Sequence, residues 1–293
     1  TMPAYKIGEF SGDSDIPVLA YNLFDKGTTN RAAFVKDYVV VDKGGVTVAI
    51  VGYIPDYSMD IMAAKIAPYD IDSDVEKLNA KIADVVKAEN PDVVVVLAHA
   101  GPSGLAKKLN PELVDLVVGG HSHTAAYGTA DNGIAYIQGN CQAKGYANAK
   151  IQFNTETKEV TVVAPTYVNT TDKTNIKNLY DTEGNKNLDP EVLAISHASW
   201  DAVKGEMSEV LGTVDQSITR RVRIGNSTNT IAGNWLTGLM LEATKELGTV
   251  VAFTNSGGIR CDLMAKEGET TRDITVGDIY TITPFGNRLL TFD

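Results

Sequence analysis

Histidine and cysteine are scarce in this chain, with four of the first and two of the second among 293 residues. Cys141 and Cys261 make neither a CxxC zinc motif nor a disulfide framework, and they read either as two independent thiols or as one long-range disulfide. Basic charge is also short: 26 Lys and Arg stand against 37 Asp and Glu, a net charge of −11. Proteins that track the phosphates of nucleic acids carry a basic face, so a nucleic-acid polymer is not an expected partner. A small anionic substrate stays admissible, because a metal ion or a few arginines can set the local field. Long hydrophobic runs are absent too. The apolar core at Val93–Ala98 falls far below the ~18 residues that span a bilayer, so no membrane span is expected. What remains is 43% hydrophobic and 22% charged, the balance of a globular chain long enough for about two domains.

Strand and helix signals alternate along the first part. Segment 16–21 predicts a short strand with Pro17 near its start, and 35–42 predicts another through Tyr38–Val41. Gly44-Gly45 predicts a hairpin turn into a β-branched strand over 46–53, suited to burial on both faces. Residues 70–89 predict a helix capped by Asp72 or Ser73, with Val75, Leu78, Ile82, Val85 and Val86 at helical spacing and Asn90-Pro91 as its stop. A buried strand over 92–97 delivers His99 at its C-terminal end. A short helix at 105–109 and a strand at 114–118 come next, the strand running straight into Gly119-Gly120-His121-Ser122-His123. Further strands are predicted at 134–139, 147–153 and 160–164. The pattern is α/β or α+β with a mixed sheet.

From 169 to 189 the composition turns to Thr, Asn, Asp and Lys, the best candidate for a solvated connector. Residues 190–211 predict a helix with Val192, Ile195, Ser199, Val203 and Met207 as one stripe. Residues 234–247 predict a second amphipathic helix. Val250–Phe253 predicts a strand that ends at Asn255-Ser256-Gly257-Gly258.

Three of the four histidines, His99, His121 and His123, fall at the ends of two apolar strands. Strand ends are where open sheets place ligand groups, and neutral imidazole is the commonest metal ligand. The glycines before His121 allow close backbone approach. For one loop histidine the plainer reading is a solvated polar side chain, and His197 is read that way. For three so placed, metal binding is the expectation.

These same residues carry a resemblance. Leu97-Ala98-His99-Ala100-Gly101 followed by Gly119-Gly120-His121-Ser122-His123 resembles the last two metal-ligand blocks of the calcineurin-like metallophosphoesterases. More narrowly, the chain resembles the 5′-nucleotidase family, including its 2′,3′-cyclic phosphodiesterase/3′-nucleotidase branch. Asn229 with Gly233-Asn234-Trp235-Leu236, Asn255-Ser256-Gly257-Gly258-Ile259-Arg260, and Pro284-Phe285-Gly286-Asn287 resemble elements of that family's substrate domain, in the family's order.

The resemblance implies the later half of a four-layer αββα metallophosphoesterase domain over 1–165 and a connector with its helix over 166–206. Over 207–293 it implies the first part of an α/β substrate-binding domain. It implies His99, His121 and His123 as ligands in a site that holds two divalent ions in the family, Zn, Mn or similar. Arg260, with Arg221 or Arg223, would grip the anionic substrate, since arginine suits bidentate contacts to phosphate. Phe285 would stack on the base, Asn255 would hydrogen-bond it or the ribose, and Gly257 and Gly258 would shape the loop. The implied substrate is a nucleotide or other small phosphoester, and the implied location is extracytoplasmic.

The family's N-terminal Asp-x-His and Gly-Asn-His-Glu blocks do not occur in these 293 residues, and residues 1–22 resemble the stretch that lies just beyond those blocks in the family. The chain is therefore expected to be an inner part of a longer nucleotidase that lacks its general acid. Each ion wants about four to six donors, so the chain is expected to hold at most one ion and to be weakly active or inactive alone. Two other classes stay open: a non-catalytic nucleotide-binding module, and a structural or surface-interaction protein on the same fold.

Overall fold

The β-branched runs of the first part pair into one sheet because each can bury both faces. A computed structural model describes residues 16–55, 66–170, 189–220, 229–265 and 268–292. The chain divides into two compact units between residues 185 and 186.

The first unit is built on a six-stranded mixed sheet. Strands β2 (Tyr38–Asp42), β3 (Thr47–Tyr53), β5 (Val93–Ala98), β6 (Leu116–Val118), β8 (Ala135–Gly139) and β7 (Ala125–Thr129) lie side by side in the order β2-β3-β5-β6-β8-β7. The central strands β3, β5, β6 and β8 are parallel, while β2 and β7 run antiparallel at the edges. Gly44 and Gly45 turn β2 into β3 with left-handed backbone, φ 68° and 86°, as the diglycine predicts. Strand β1 (Leu23–Asp25) pairs separately with β4 (Tyr69–Ile71).

Alternation along β5 sorts its side chains onto two cores. Val94, Val96 and Ala98 face α1 (Val75–Glu89) and α2 (Pro102–Ala106) and pack with Leu78, Ile82, Val85 and Leu105. Val93 and Val95 face the hairpin of β9 (Gly145–Phe153) and β10 (Val160–Asn169) and pack with Ala149, Ile151, Val160 and Val162. The result is a helix–sheet–hairpin sandwich, a mixed α/β architecture, as the hydrophobic pattern predicts. Two side chains tie the starts of the parallel strands together. Asp92 accepts from the Thr47 backbone N–H at 2.9 Å, and Asp115 accepts from Val94 N–H at 2.8 Å.

Several elements differ from the sequence reading. Segment 16–21 makes one bridge, Leu19 to Lys36, and no strand. Lys36 N–H donates to Val18 carbonyl and Ala20 N–H donates to Lys36 carbonyl, both at 2.8 Å, which closes this one bridge without extending into a ladder. Helix α1 starts at Val75, and its cap is Asp74 rather than Asp72 or Ser73. Tyr69–Ile71 is drawn into pairing with β1, and Asp74 accepts from Glu76 N–H. Strand β7 and strand β11 (Val210–Val214) were not read from the sequence.

The second unit contains α3 (Pro190–Met207), β11, α4 (Ile231–Thr244), β12 (Arg272–Thr275) and α5 (Val276–Ile282). Strands β11 and β12 form an antiparallel pair. Ile218, Ala232, Ile259, Leu263, Ile274 and Ile282 make its core, with Trp235 and Leu236 of α4 packed against them. Thr230 caps α4, accepting from Gly233 N–H at 3.0 Å. Thr275 and Asp278 form a reciprocal capping box on α5. The stripe expected on α3 buries nothing, because Val192 and Ile195 stay exposed. Val250–Phe253 is an exposed extended segment rather than a strand, for no partner strand flanks it among the described residues. The connector at 169–189 lies almost wholly outside the described residues. Cys141 and Cys261 are both free thiols.

Candidate functional site

The parallel register brings three strand ends to one place: Tyr53 lies beside Ala98, and Leu97 lies beside Val118. The loops after β5 and β6 therefore leave the sheet together, at its carboxyl edge. His99 N–H donates to Tyr53 carbonyl at 3.0 Å, and Gly120 N–H donates to Ala100 carbonyl at 3.1 Å, which locks the two loops to each other. Gly119 is needed for this approach. A Cβ there would lie 2.5 Å from Pro102 Cδ and 2.7 Å from the Ala100 carbonyl oxygen.

Within that clasp the imidazoles of His99 and His121 meet, Nε2 of the first 3.3 Å from Nδ1 of the second, with rings 69° apart. The separation suits an N–H···N contact between neutral rings. It also matches two nitrogens bound at ~2.05 Å to one tetrahedral ion, which stand about 3.3–3.4 Å apart. His99 keeps solvent contact, yet the protein around its ring desolvates it, and His121 and His123 add charge repulsion. Together these hold its pKa below the ordinary imidazole value, so the ring is neutral and offers a lone pair near pH 7.

His121 and His123 both adopt left-handed backbone, φ 67° and 54°, a conformation that a side chain resists. His123 acts on His99 electrostatically. Among the described residues no group of three His, Cys, Asp or Glu side chains closes into a metal-holding set. The pair His99–His121 thus fits a divalent ion as part of a donor set, with soft-to-borderline nitrogen ligands suited to Zn and similar metals. The remaining positions fall to other donors. Gln138, buried behind this loop on β8, escaped the sequence reading. Its signal was a lone polar residue within an otherwise apolar strand.

Two of the motifs read in the second part, 255–260 and 284–287, meet inside the second unit. Ser256–Gly258 makes one 3-10 turn, anchored by buried Ile259 and by Arg260 N–H donating to Ile282 carbonyl at 2.9 Å. Arg260 donates to Gly257 carbonyl at 3.0 Å, and its guanidinium carbon stands 5.5 Å from the centre of the Phe285 ring. That arrangement is a cation–π stack, and it pre-sets the fork of Arg260 beside a part-exposed aromatic face. Asn255 flanks the turn, and Gly258 lets its side chain lie close, since a Cβ there would come 2.9 Å from Asn255 Oδ1 and push it aside. Arg221 and Arg223 lie outside the described residues. His197 is exposed on α3.

Residues 210–293 match the family model of the 5′-nucleotidase C-terminal domain. The chain is 25% identical over 308 residues to cell wall protein Lmo0130 of Listeria monocytogenes, covering 94% of this chain and 37% of that protein. It is 26% identical over 276 residues to the trifunctional nucleotide phosphoesterase protein YfkN of Bacillus subtilis, covering 90% of this chain and 17% of that protein. The chain thus spans well under half the length of these two relatives. In fold it is similar to a 5′-nucleotidase precursor from Thermus thermophilus, with a TM-score of 0.72 at 21% identity over 96% of this chain and 55% of that one.

Proposed function

We propose, starting from this kinship to nucleotidases, that the protein serves metal-dependent hydrolysis of nucleotide phosphoesters. The type is that of a 5′-nucleotidase or a 2′,3′-cyclic phosphodiesterase/3′-nucleotidase. The observation that carries the reading is the convergence of His99 and His121 at the carboxyl edge of a parallel sheet, at the spacing of two ligands on one ion.

A divalent ion held there supplies Lewis-acid polarisation of a phosphoryl oxygen. His99 and His121 would hold it, with His123 as the further ligand that the resemblance implies. His99 contributes a neutral ring without first shedding a proton. Arg260 offers its fork to the anionic part of the substrate, Phe285 offers a stacking face worth ~1–3 kcal/mol to a base, and Asn255 offers a donor and an acceptor to the base or ribose. An ion needs about four or more donors, so turnover by these 293 residues alone is expected to be slow. We assign the protein an extracytoplasmic location, in line with the name of its Listeria relative; no helix among the described residues is long and apolar enough to cross a membrane.

The test is release of phosphate and nucleoside products from AMP and from 2′,3′-cyclic AMP, with Mn²⁺ or Zn²⁺ and an EDTA control. Metal-dependent turnover abolished by His121→Ala supports the reading. Turnover unaffected by EDTA and by His121→Ala overturns it. A second reading, a nucleotide-binding module without turnover, is favoured by the Arg260–Phe285 stack, which involves neither His99 nor His121. AMP binding that survives EDTA, with no product formed, would select it.

A further inference from the structure

We propose that Gln138 is a positioning residue for the histidine loop: its buried side-chain amide pins Ser122 and Thr124 and so holds His121 against His99. The proposal rests on the reading of this site as a metal centre and adds a residue that lies outside the donor set.

Gln138 is 2% exposed. It sits on β8, which is hydrogen-bonded to β6 on one side and β7 on the other, the two strands that the histidine loop joins. Its Nε2 lies 2.7 Å from Ser122 Oγ and 2.6 Å from the Thr124 backbone carbonyl oxygen. A carbonyl oxygen can only accept, so the nitrogen end of the amide must face the loop. Ser122 Oγ in turn stands 2.9 Å from Thr124 Oγ1. The pinned residues, 122 and 124, alternate with the two left-handed histidines, 121 and 123. A strained backbone persists only where its surroundings over-determine it, and these side-chain hydrogen bonds add to the backbone bonds Gly120 N–H to Ala100 and Ser122 N–H to Gly120 that fix this loop.

The other end of the amide argues the same way. Gln138 Oε1 is buried and has no hydrogen-bond partner among the described residues. An apolar side chain of equal length would fill the space without burying an unpaired acceptor. Packing alone therefore does not ask for glutamine here, whereas the donor end has a use.

The experiment compares wild type, Gln138→Met, Ser122→Ala and the double variant of the full chain. Gln138→Met keeps the length and apolar body and removes the amide. Ser122 is exposed, so Ser122→Ala breaks the same contact without opening the core. Two readouts are used: the nuclear Overhauser contact between the His99 and His121 ring protons in metal-free protein, and Co²⁺ titration followed by visible absorption. Gln138→Met is expected to lose the ring contact and to raise the Co²⁺ Kd by about 10–100-fold, the usual effect of removing a group that orients a ligand. Ser122→Ala should act in the same direction, and the double variant should be no worse than Gln138→Met.

An unchanged ring contact and unchanged Co²⁺ affinity in Gln138→Met overturn the proposal and leave the metal reading intact. Loss of Co²⁺ binding in proportion to lost folded protein also overturns it, since glutamine would then be merely structural. A wild type that binds no Co²⁺, with the ring contact still lost in Gln138→Met, overturns the metal reading and supports the positioning role.

Discussion

Gly119→Ala is the sharpest test of how the two loops are clasped. The new Cβ would meet Pro102 Cδ at 2.5 Å, Pro102 Cβ at 2.6 Å and the Ala100 carbonyl oxygen at 2.7 Å. Ordinary contact between carbons is about 3.5–4.0 Å, so three atoms must yield by roughly 1 Å. None is the tip of a flexible side chain. Pro102 is the first residue of α2, and the Ala100 carbonyl accepts the 3.1 Å hydrogen bond from Gly120 that docks the histidine loop. Overpacking of this kind costs about 1–3 kcal/mol. At about 2–4 °C per kcal/mol for a unit of this size, the Tm should fall by roughly 2–12 °C. Gly104→Ala is the matched control: it lies inside α2 with nothing within 4 Å of its Cβ position, and alanine gains up to ~1 kcal/mol over glycine in a helix. Thermal unfolding followed by circular dichroism should show Gly119→Ala below wild type and Gly104→Ala at or above it. A Gly119→Ala protein that melts with wild type would refute the close-approach argument.

Three further outcomes rest on the charges and contacts already described. Burial alone would raise the Asp37 carboxyl, but the hydrogen bond and charge of Lys81 at 2.5 Å and the charge of Arg31 at 3.2 Å outweigh it and hold its pKa below the usual range. A depressed native pKa stabilises above the unfolded value and is lost as pH falls through the native one, so Asp37→Asn should cost about 1 kcal/mol at pH 7 in urea unfolding, with the gap closing in acid. Asp115 has the opposite sign, its pKa raised by burial despite the hydrogen bond from Val94. Its contribution is present at low pH and lost as pH rises through the native value, so Asp115→Asn should be at least as stable as wild type at pH 7, while Asp115→Leu leaves Val94 N–H without its acceptor and should cost about 1–3 kcal/mol. Replacing the guanidinium in Arg260→Gln should weaken AMP binding by about 1.5–3 kcal/mol, the worth of a charged hydrogen bond, and calorimetry showing an unchanged Kd would remove Arg260 from the substrate site.

The sequence by itself determined the parallel-sheet half of the molecule and the candidates for chemistry. Val93–Ala98 and Val46–Tyr53 are β-branched runs that only a doubly covered strand can bury, and His99 and His121 stand directly after such runs. Diglycine at 44–45 specified its turn by the left-handed φ values that glycine adopts without strain. These are local signals, carried by neighbours in the chain. What only the tertiary structure decided depends on partners distant in sequence. Tyr69–Ile71 became a strand because β1 was there to pair with it, which moved the cap of α1 to Asp74. The apolar stripe of α3 and the run Val250–Phe253 remained exposed, since periodicity states what a segment could bury and not whether a surface meets it. Register brought the loops after β5 and β6 together, which set His121 at 3.3 Å from His99, and placed the amide of Gln138, sixteen residues along the chain from Ser122, beneath the bend.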